Sequence, residues 1–507
     1  MCAVHAVGID VGSTNVKVVL VAEDGTLVAH SAQPLVTHHR GDAVEQDADE
    51  LWGAVARAVC EVTAAHPGAA ARVAAVGVCS QYSSLVPVDA EGRAIAPLVM
   101  YLDQRGGEHC WAILERHPDA FTTWVERHGI PPIGGGLSLA HLLHFQLDRP
   151  EVHRRTAAYL EVMDLVNLRL TGTAAATQCT VFASQLCDNR EVPVTSYDAE
   201  LVALSGVDAS LLQTLLPVDG TVGRLDPAVA DELGLPHDAV VGVGMNDTQA
   251  GAFATGAVRP DAAGAGVCGA AIGTTSVLIR SLGSMAVDLD HEVLSMPIPR
   301  SGSYVVMAEN GIAGAAVEHA LSLLAPGGDG FAELDEALAS TAPGAGGVLF
   351  LPWLSGSMSP ASAPAMRGGF VGMSLSTTRA ELLRSTVEGV ARNLRWLAPA
   401  VDGLAGGPTR EVVLSGGGAR SAAWARTVAD VLATPVSVLE RPELAAARAT
   451  AAVALRHAAG EDPATVELPV AARHEPDPDT VEVHSRIQPR FEEAFTALRP
   501  VCEALRP

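Results

Sequence analysis

Asp10 closes an apolar run, Val7-Gly8-Ile9-Asp10, and Gly12-Ser13-Thr14 follow at once. Consecutive backbone N–H groups and hydroxyls in a tight turn form a concavity that binds anions, and glycine lets a phosphate come close. A carboxylate beside such a turn suits the shell of a Mg²⁺ ion, not the phosphate itself. Lys17, three residues past Thr14, is the only lysine in the chain. Strand alternation puts it on the face of Asn15, near the turn, where an ammonium could sit beside phosphate. Gly273-Thr274-Thr275 stands between two further apolar runs and offers a second set of amide and hydroxyl donors. Each turn alone could be an ordinary polar hairpin. The two together make a two-sided phosphate clamp.

Asp247 is a candidate cleft residue. A strand over Ala239–Val243 ends in Gly244-Met245-Asn246-Asp247, ahead of a small-residue helix over Thr248–Ala254. An aspartate there is commonly only an N-cap. Its place just before the Gly/Ala/Pro-rich stretch Thr255–Gly266, a natural linker between two lobes, argues for a cleft residue. Strand Glu411–Ser415 runs into Gly416-Gly417-Gly418-Ala419 and a helix over Ser421–Ala433. That order lets a flat or anionic ligand meet backbone amides at a helix start. Two polar edges after strands, Gln81-Tyr82-Ser83-Ser84 and Tyr101-Leu102-Asp103-Gln104-Arg105, carry the donors and acceptors a hydroxylated ligand needs, although plain loop chemistry reads the same way. The glycines at 416–418 do not fit a dinucleotide fingerprint, and Gly-x-x-x-x-Gly-Lys is absent. Neither the 8 cysteines nor the 17 histidines fall at metal-ligand spacing.

These residues need strands and tight turns beneath them. Val4–Asp10, Asn15–Ala22 and Thr26–His30 read as a meander turned at Glu23-Asp24-Gly25. A helix over Ala48–Ala65 and strands at Val73–Cys79 and Ser84–Val88 follow. Gly266–Ile279 repeats the opening's strand, glycine–hydroxyl turn and strand, which points to two related halves. Thr378 and Glu381 form a capping box for a helix over Thr378–Pro399 whose Leu383, Val387, Val390, Leu394 and Leu397 make one apolar stripe, a core element. A charged, Pro-rich connection over Glu461–Asp479 leads to a last helix near Arg486–Leu505. The fold class is α/β in two lobes, 1–255 and 256–507, with the last helix packing back on the first.

Composition narrows the function classes. With 48% hydrophobic and 18% charged residues in 507, the chain buries a core and is not disordered. A net charge of −25 repels nucleic acid. The uncharged stretches at 262–279 and 343–366 are broken by Gly, Pro or Ser, so neither reads as a membrane span. The N-terminus enters a strand without a signal-type segment, and the cysteines are scattered. A cytoplasmic protein with reduced thiols is expected.

Together these pieces resemble the FGGY carbohydrate kinases. Gly368-Gly369-Phe370-Val371-Gly372-Met373, then Glu381-Leu382 and Ser385-Thr386-Val387-Glu388, is similar to that family's C-terminal signature, and Leu351-Pro352-Trp353-Leu354-Ser355-Gly356 to its Leu-Pro-Tyr-Leu-x-Gly run. The resemblance implies two RNase H-like domains of the actin/hexokinase/Hsp70 type flanking a cleft. It implies Asp247 as catalytic base, Asp10 as the Mg²⁺-associated aspartate, and Gly12, Ser13, Thr14 with Lys17 as the first phosphate site. Gly273, Thr274 and Thr275 become the second, Gly416, Gly417, Gly418 and Ala419 the adenosine loop, and Gln81, Tyr82, Asp103, Arg105, Asn246 and Asp247 the sugar side. ATP and Mg²⁺ are the implied cofactors, a small sugar the substrate, a homodimer the implied assembly. Order and length are most like xylulokinases, hence D-xylulose first, with another ketose, an alditol or an aldonate as the alternative. An Hsp70-like ATPase without a sugar is the reading from another class. The chain departs from xylulokinases at Gln81-Tyr82-Ser83-Ser84, where they typically read Gln-Met-His-Gly, and at Ala140–His144, where many read Pro-Lys-Leu-x-Trp. The Arg-Glu pair of glycerol kinases is missing, and Arg448 intrudes in Glu443–Ala452, where the family usually has glycine.

Overall fold

The computed structural model of the chain describes residues 4–259 and 266–505. The strand His5–Val11 is buried along its whole length, as a strand covered on both faces must be. It pairs antiparallel with Asn15–Ala22, which pairs with Leu27–Pro34. On its other side Val73–Ser80 runs parallel, then Val240–Gly242 parallel and Thr221–Arg224 antiparallel at the edge. Met245–Asn246 lies beside the end of Val73–Ser80.

The second lobe repeats this plan. Val267–Ile272 is central, with Ser276–Leu282 and Tyr304–Asn310 antiparallel on one side. Glu411–Ser415 and Val436–Leu439 run parallel on the other, and Val470–His474 closes the edge antiparallel. The inner strands share one order and one set of directions in both sheets, so the repeated hairpin was the visible part of a repeated lobe.

Two helices cross between the lobes. Asp247–Thr255 follows first-lobe strands but packs on Val267–Ile272 and Glu411–Ser415. Ala445–Ala459 follows second-lobe strands but packs on His5–Val11 and Val73–Ser80, and the two helices pack on each other. A Cβ on Gly8 would overlap the Ala447 carbonyl oxygen, and one on Gly77 that of Thr450. Glycine is required there because backbone meets backbone. A single cut at 255 therefore does not separate the packing units.

Several boundaries differ from expectation. The capped helix runs over Arg379–Ala405, past Pro399, and the last helix over Pro478–Ala504, through Pro489 and Pro500. All three prolines lie on exposed positions, where water can satisfy the carbonyl each leaves unbonded. The Glu461–Asp479 connection contains the edge strand Val470–His474. The last helix packs on Arg379–Ala405 and Ala422–Leu432 in the second lobe, not on the first as expected. Its Phe491 and Phe495 meet Trp353 with ring centroids 4.9 Å apart, which gives its apolar face a partner there. The expected linker Thr255–Gly266 lies outside the described residues from 260 to 265, and Cys2 lies outside them too. The seven cysteines among the described residues are free thiols. No described helix is long and apolar enough to cross a membrane.

Candidate active site

Parallel strands align their carboxyl ends, and open α/β sheets bind ligands beyond such ends. In the first lobe that row holds Asp10 beside Cys79, and Ser80 beside Asn246. Strands about 4.8 Å apart thus bring Asp10 and Asp247 close from opposite ends of the lobe's sequence. The Gly12 N–H closes its turn on the Asn15 carbonyl at 3.0 Å. Gln46 Nε2 donates to the Ser13 carbonyl at 2.8 Å, and Gln81 Nε2 donates to Gln46 Oε1 at 3.0 Å. Gln81 therefore braces the turn through Gln46, while its own Oε1 is buried with no partner. Lys17 is the cross-strand neighbour of Asp10, and its Nζ lies 3.5 Å from Asp10 Oδ2.

In the second lobe Val267–Ile272 and Glu411–Ser415 are parallel neighbours, so the Gly273–Thr275 turn and the Gly416–Ala419 loop sit side by side. The N–H groups of Ala313 and Gly314 bond the Thr274 and Gly273 carbonyls at 2.9 Å, which pins the turn to the start of the helix Gly314–Leu324. A Cβ at Gly273 or Gly417 would meet nothing within 4 Å, so both stand open. Gly416 has φ of 89°, a left-handed conformation that suits glycine, and Gly418 and Ala419 are buried.

Asp247 is the first residue of its helix, not the cap. Asn246 Oδ1 accepts the Gln249 N–H at 2.8 Å, and Gln249 Oε1 accepts the Asn246 N–H at 2.9 Å. This capping box releases Asp247 from the plain N-cap reading. It also corrects the sugar-side expectation for Asn246, which is buried with its oxygen engaged. The Asp247 carboxylate accepts the Thr248 N–H at 2.8 Å. Solvent reaches it, but from within a cleft whose protein walls leave it few waters. Its pKa is raised to about 7, by that desolvation first, then by the charges of Asp10 and Glu309. Glu309 comes from the second lobe, one residue from the end of Tyr304–Asn310; burial raises its pKa, with the nearby Thr275 side chain opposing. Three carboxylates from both lobes thus converge.

Tyr82 and Tyr101 stand near this cluster. Burial raises the Tyr82 hydroxyl, helped by Glu161, Glu309 and Asp247, and that hydroxyl has no partner. Burial raises Tyr101 as well, with Asp247 and Glu309 adding to it. Asp103 and Arg105 are corrected as sugar ligands. Asp103 is fully buried, accepts the Val44 N–H at 2.9 Å, and holds Arg105, whose Nη2 reaches Glu45 Oε1 at 2.6 Å. They lock their loop. Arg448 does not disturb a nucleotide loop: it is buried in the seam and donates to the carbonyls of Glu440 at 2.7 Å and Gly25 at 2.9 Å, one from each lobe. Sequence reasoning missed Gln46, Glu161 and Glu309. The signal that picked Asp10, an acid closing an apolar strand before a glycine, is present at Glu309-Asn310-Gly311.

The donor set suits a magnesium nucleotide. Open glycines at 273 and 417 leave room against backbone, threonine hydroxyls edge the turns, and carboxylates are the ligands a hard cation takes.

Family models match in sequence order: the N-terminal domain of the FGGY family of carbohydrate kinases over residues 5–254 and its C-terminal domain over 268–455. A xylulose kinase of Streptomyces coelicolor is 28% identical, with 91% of this chain and 89% of that protein aligned. A gluconokinase of Bacillus subtilis is 23% identical, over 87% of this chain and 85% of the relative. Among solved structures, a xyloylose kinase from Brucella ovis superposes with a TM-score of 0.85 at 24% identity, covering 98% of this chain and 100% of that one. Two repeated lobes, paired phosphate turns and a matching model over each half make this chain a member of the FGGY family of carbohydrate kinases.

Proposed function

We propose that the protein transfers the γ-phosphoryl group of ATP to a hydroxyl of a small sugar in the cytoplasm, with D-xylulose the first substrate and D-xylulose 5-phosphate its product. The observation that carries this is Asp247: a carboxylate at a helix start that the cap does not use, with a pKa raised to about 7 by burial and by the charges of Asp10 and Glu309, one from each lobe. Asp247 accepts the proton of the attacking hydroxyl as the oxygen–phosphorus bond forms. The turns at Gly12–Thr14 and Gly273–Thr275 hold phosphate oxygens from the two lobes, and the Gly416–Ala419 loop takes the adenosine. Asp10 and Lys17 stand where the metal and its phosphates would lie; bound Mg²⁺ supplies charge neutralisation there. Closure of the lobes excludes water, a competing nucleophile. The xylulose kinases among the relatives support the choice of sugar. A coupled ADP-release screen over ketoses, alditols and aldonates tests the reading, with D-xylulose expected to give turnover. Hydrolysis of ATP indifferent to every sugar would sink it.

The base must be ionised to work. Its raised pKa means that kcat/KM should rise with pH, level off above about 7, and fall roughly tenfold per unit below it. A profile flat from pH 5 to 8 would remove Asp247 from the proton transfer.

Lys17→Met takes a cation from a carboxylate cluster. It should raise the KM for ATP or lower kcat by about tenfold or more. Lys17→Arg should recover part, since a planar fork does not replace a compact ammonium. Because Lys17 is the only lysine, amine acetylation reports on it and the N-terminus alone. Mg·ATP should protect it, and a sugar alone should protect it little. Equal labelling with and without nucleotide would mean that its role ends at Asp10.

A further inference from the structure

The acceptor side of the cleft is walled by acid. Asp10 and Asp247 come from the first lobe and Glu309 from the second. Behind Tyr82 lies Glu161, buried, its oxygens taking the Ser84 N–H at 3.1 Å and the Ser138 hydroxyl. The neighbouring cations are engaged. Arg105 forks onto Asp103 and Glu45, and the Lys17 ammonium faces Asp10. The charges acting on the Tyr82 and Tyr101 hydroxyls are those of Glu161, Glu309 and Asp247. Gln81 Oε1 and the Tyr82 hydroxyl, beside these acids, are among the buried polar atoms that lack a partner. Both suit a ligand hydroxyl: the amide oxygen accepts its proton, and the phenol can donate or accept. Neither compensates a negative charge as a cation would.

Glu309 is placed to matter most. Its strand neighbour across the ladder is Val277, two residues past Thr275, which sets it beside the Gly273–Thr275 turn. It reaches the pocket from the lobe opposite to Asp247. Resting on the kinase reading, we propose that Glu309, at the strand end beside the Gly273–Thr275 turn, sets the charge of the acceptor: the site takes uncharged ketoses and polyols and rejects aldonates. An aldonate brings a carboxylate into a cleft that already holds three. Like charges sharing one partly buried site change affinity by roughly tenfold or more each. A neutral polyol of the same length meets no such repulsion.

Equilibrium dialysis reads this without turnover. The probes are labelled D-xylulose, xylitol and sorbitol against D-xylonate and D-gluconate, with wild type, Glu309→Gln and Glu309→Asp. The best neutral compound should bind wild type at least roughly tenfold more tightly than the best aldonate. Glu309→Gln keeps the size, loses the charge, and should narrow that ratio about tenfold, mainly by improving the aldonates. Glu309→Asp keeps the charge and should keep the ratio. An aldonate as the best ligand of wild type overturns the proposal, and so does an unchanged ratio in Glu309→Gln. An equal loss of selectivity in both variants would assign it to shape and overturn the role of charge. Failure of the kinase reading looks different: a sugar binds, yet no ADP forms in its presence.

Discussion

Asp247→Asn should lower kcat about 10²–10⁴-fold, the share a positioned base supplies, while the KM values for ATP and sugar change little. Asparagine is nearly the same size and its side-chain oxygen can still accept the Thr248 N–H that Asp247 now takes. The helix start should survive, because Asn246 and Gln249 provide its cap. Fold and ligand binding are thereby separated from proton transfer. Steady-state kinetics beside a thermal melt decide it: the melt should stay put while turnover collapses. Near wild-type turnover would leave Asp247 a bystander at the helix start.

Glu388→Gln should lower the free energy of unfolding by about 3–5 kcal/mol, because it leaves buried arginines uncompensated. Glu388 and Arg392 are each 2% exposed. Arg384 and Arg392 reach the two Glu388 oxygens at 3.3 and 3.4 Å, and the Gly344 N–H donates to Oε1 at 2.9 Å. Arg392 also donates to His484 Nδ1 at 2.9 Å, which ties the last helix to the network. Burial and the surrounding arginines depress the His484 pKa to about 3, so it accepts as a neutral ring. Denaturant titration of wild type and variant measures the loss. Converting Glu388, Arg384 and Arg392 together to apolar residues of similar size should recover much of it, since no lone charge then remains. A single variant as stable as wild type would show that the charges relax to water. This helix was readable as core from its apolar stripe; the buried charge was not, because the stripe records only which side chains are apolar.

The parts of the site that the sequence disclosed are those whose chemistry is local. A strand end, a glycine and two hydroxyls specify a tight turn rich in donors at Gly12–Thr14 and again at Gly273–Thr275, whatever lies around them. The same holds for the strand, glycines and helix at 411–433. Even the correction at Asn246 was within reach, since Asn246 and Gln249 carry capping-box spacing. Asp103 and Arg105 went astray, and Gln81 took on a bracing role beside its expected one, because their residue types fit a sugar and fit an internal brace equally well. Which role they take depends on Gln46, Val44 and Glu45, brought beside them by a separate five-stranded sheet.

What the sequence determined by itself is the set of short-range features: turns, caps, apolar periodicity, the repeated hairpin, and a motif order specific enough to mark the family. Each rests on backbone geometry and contacts between residues a few places apart. Tertiary structure alone decided that Asp10, Asp247 and Glu309 share a cleft and that Arg448 joins the lobes. Strand order and the crossed helices bring those groups together across hundreds of residues. Burial and Coulomb energy depend on distance through space, and spacing along the chain does not encode that distance.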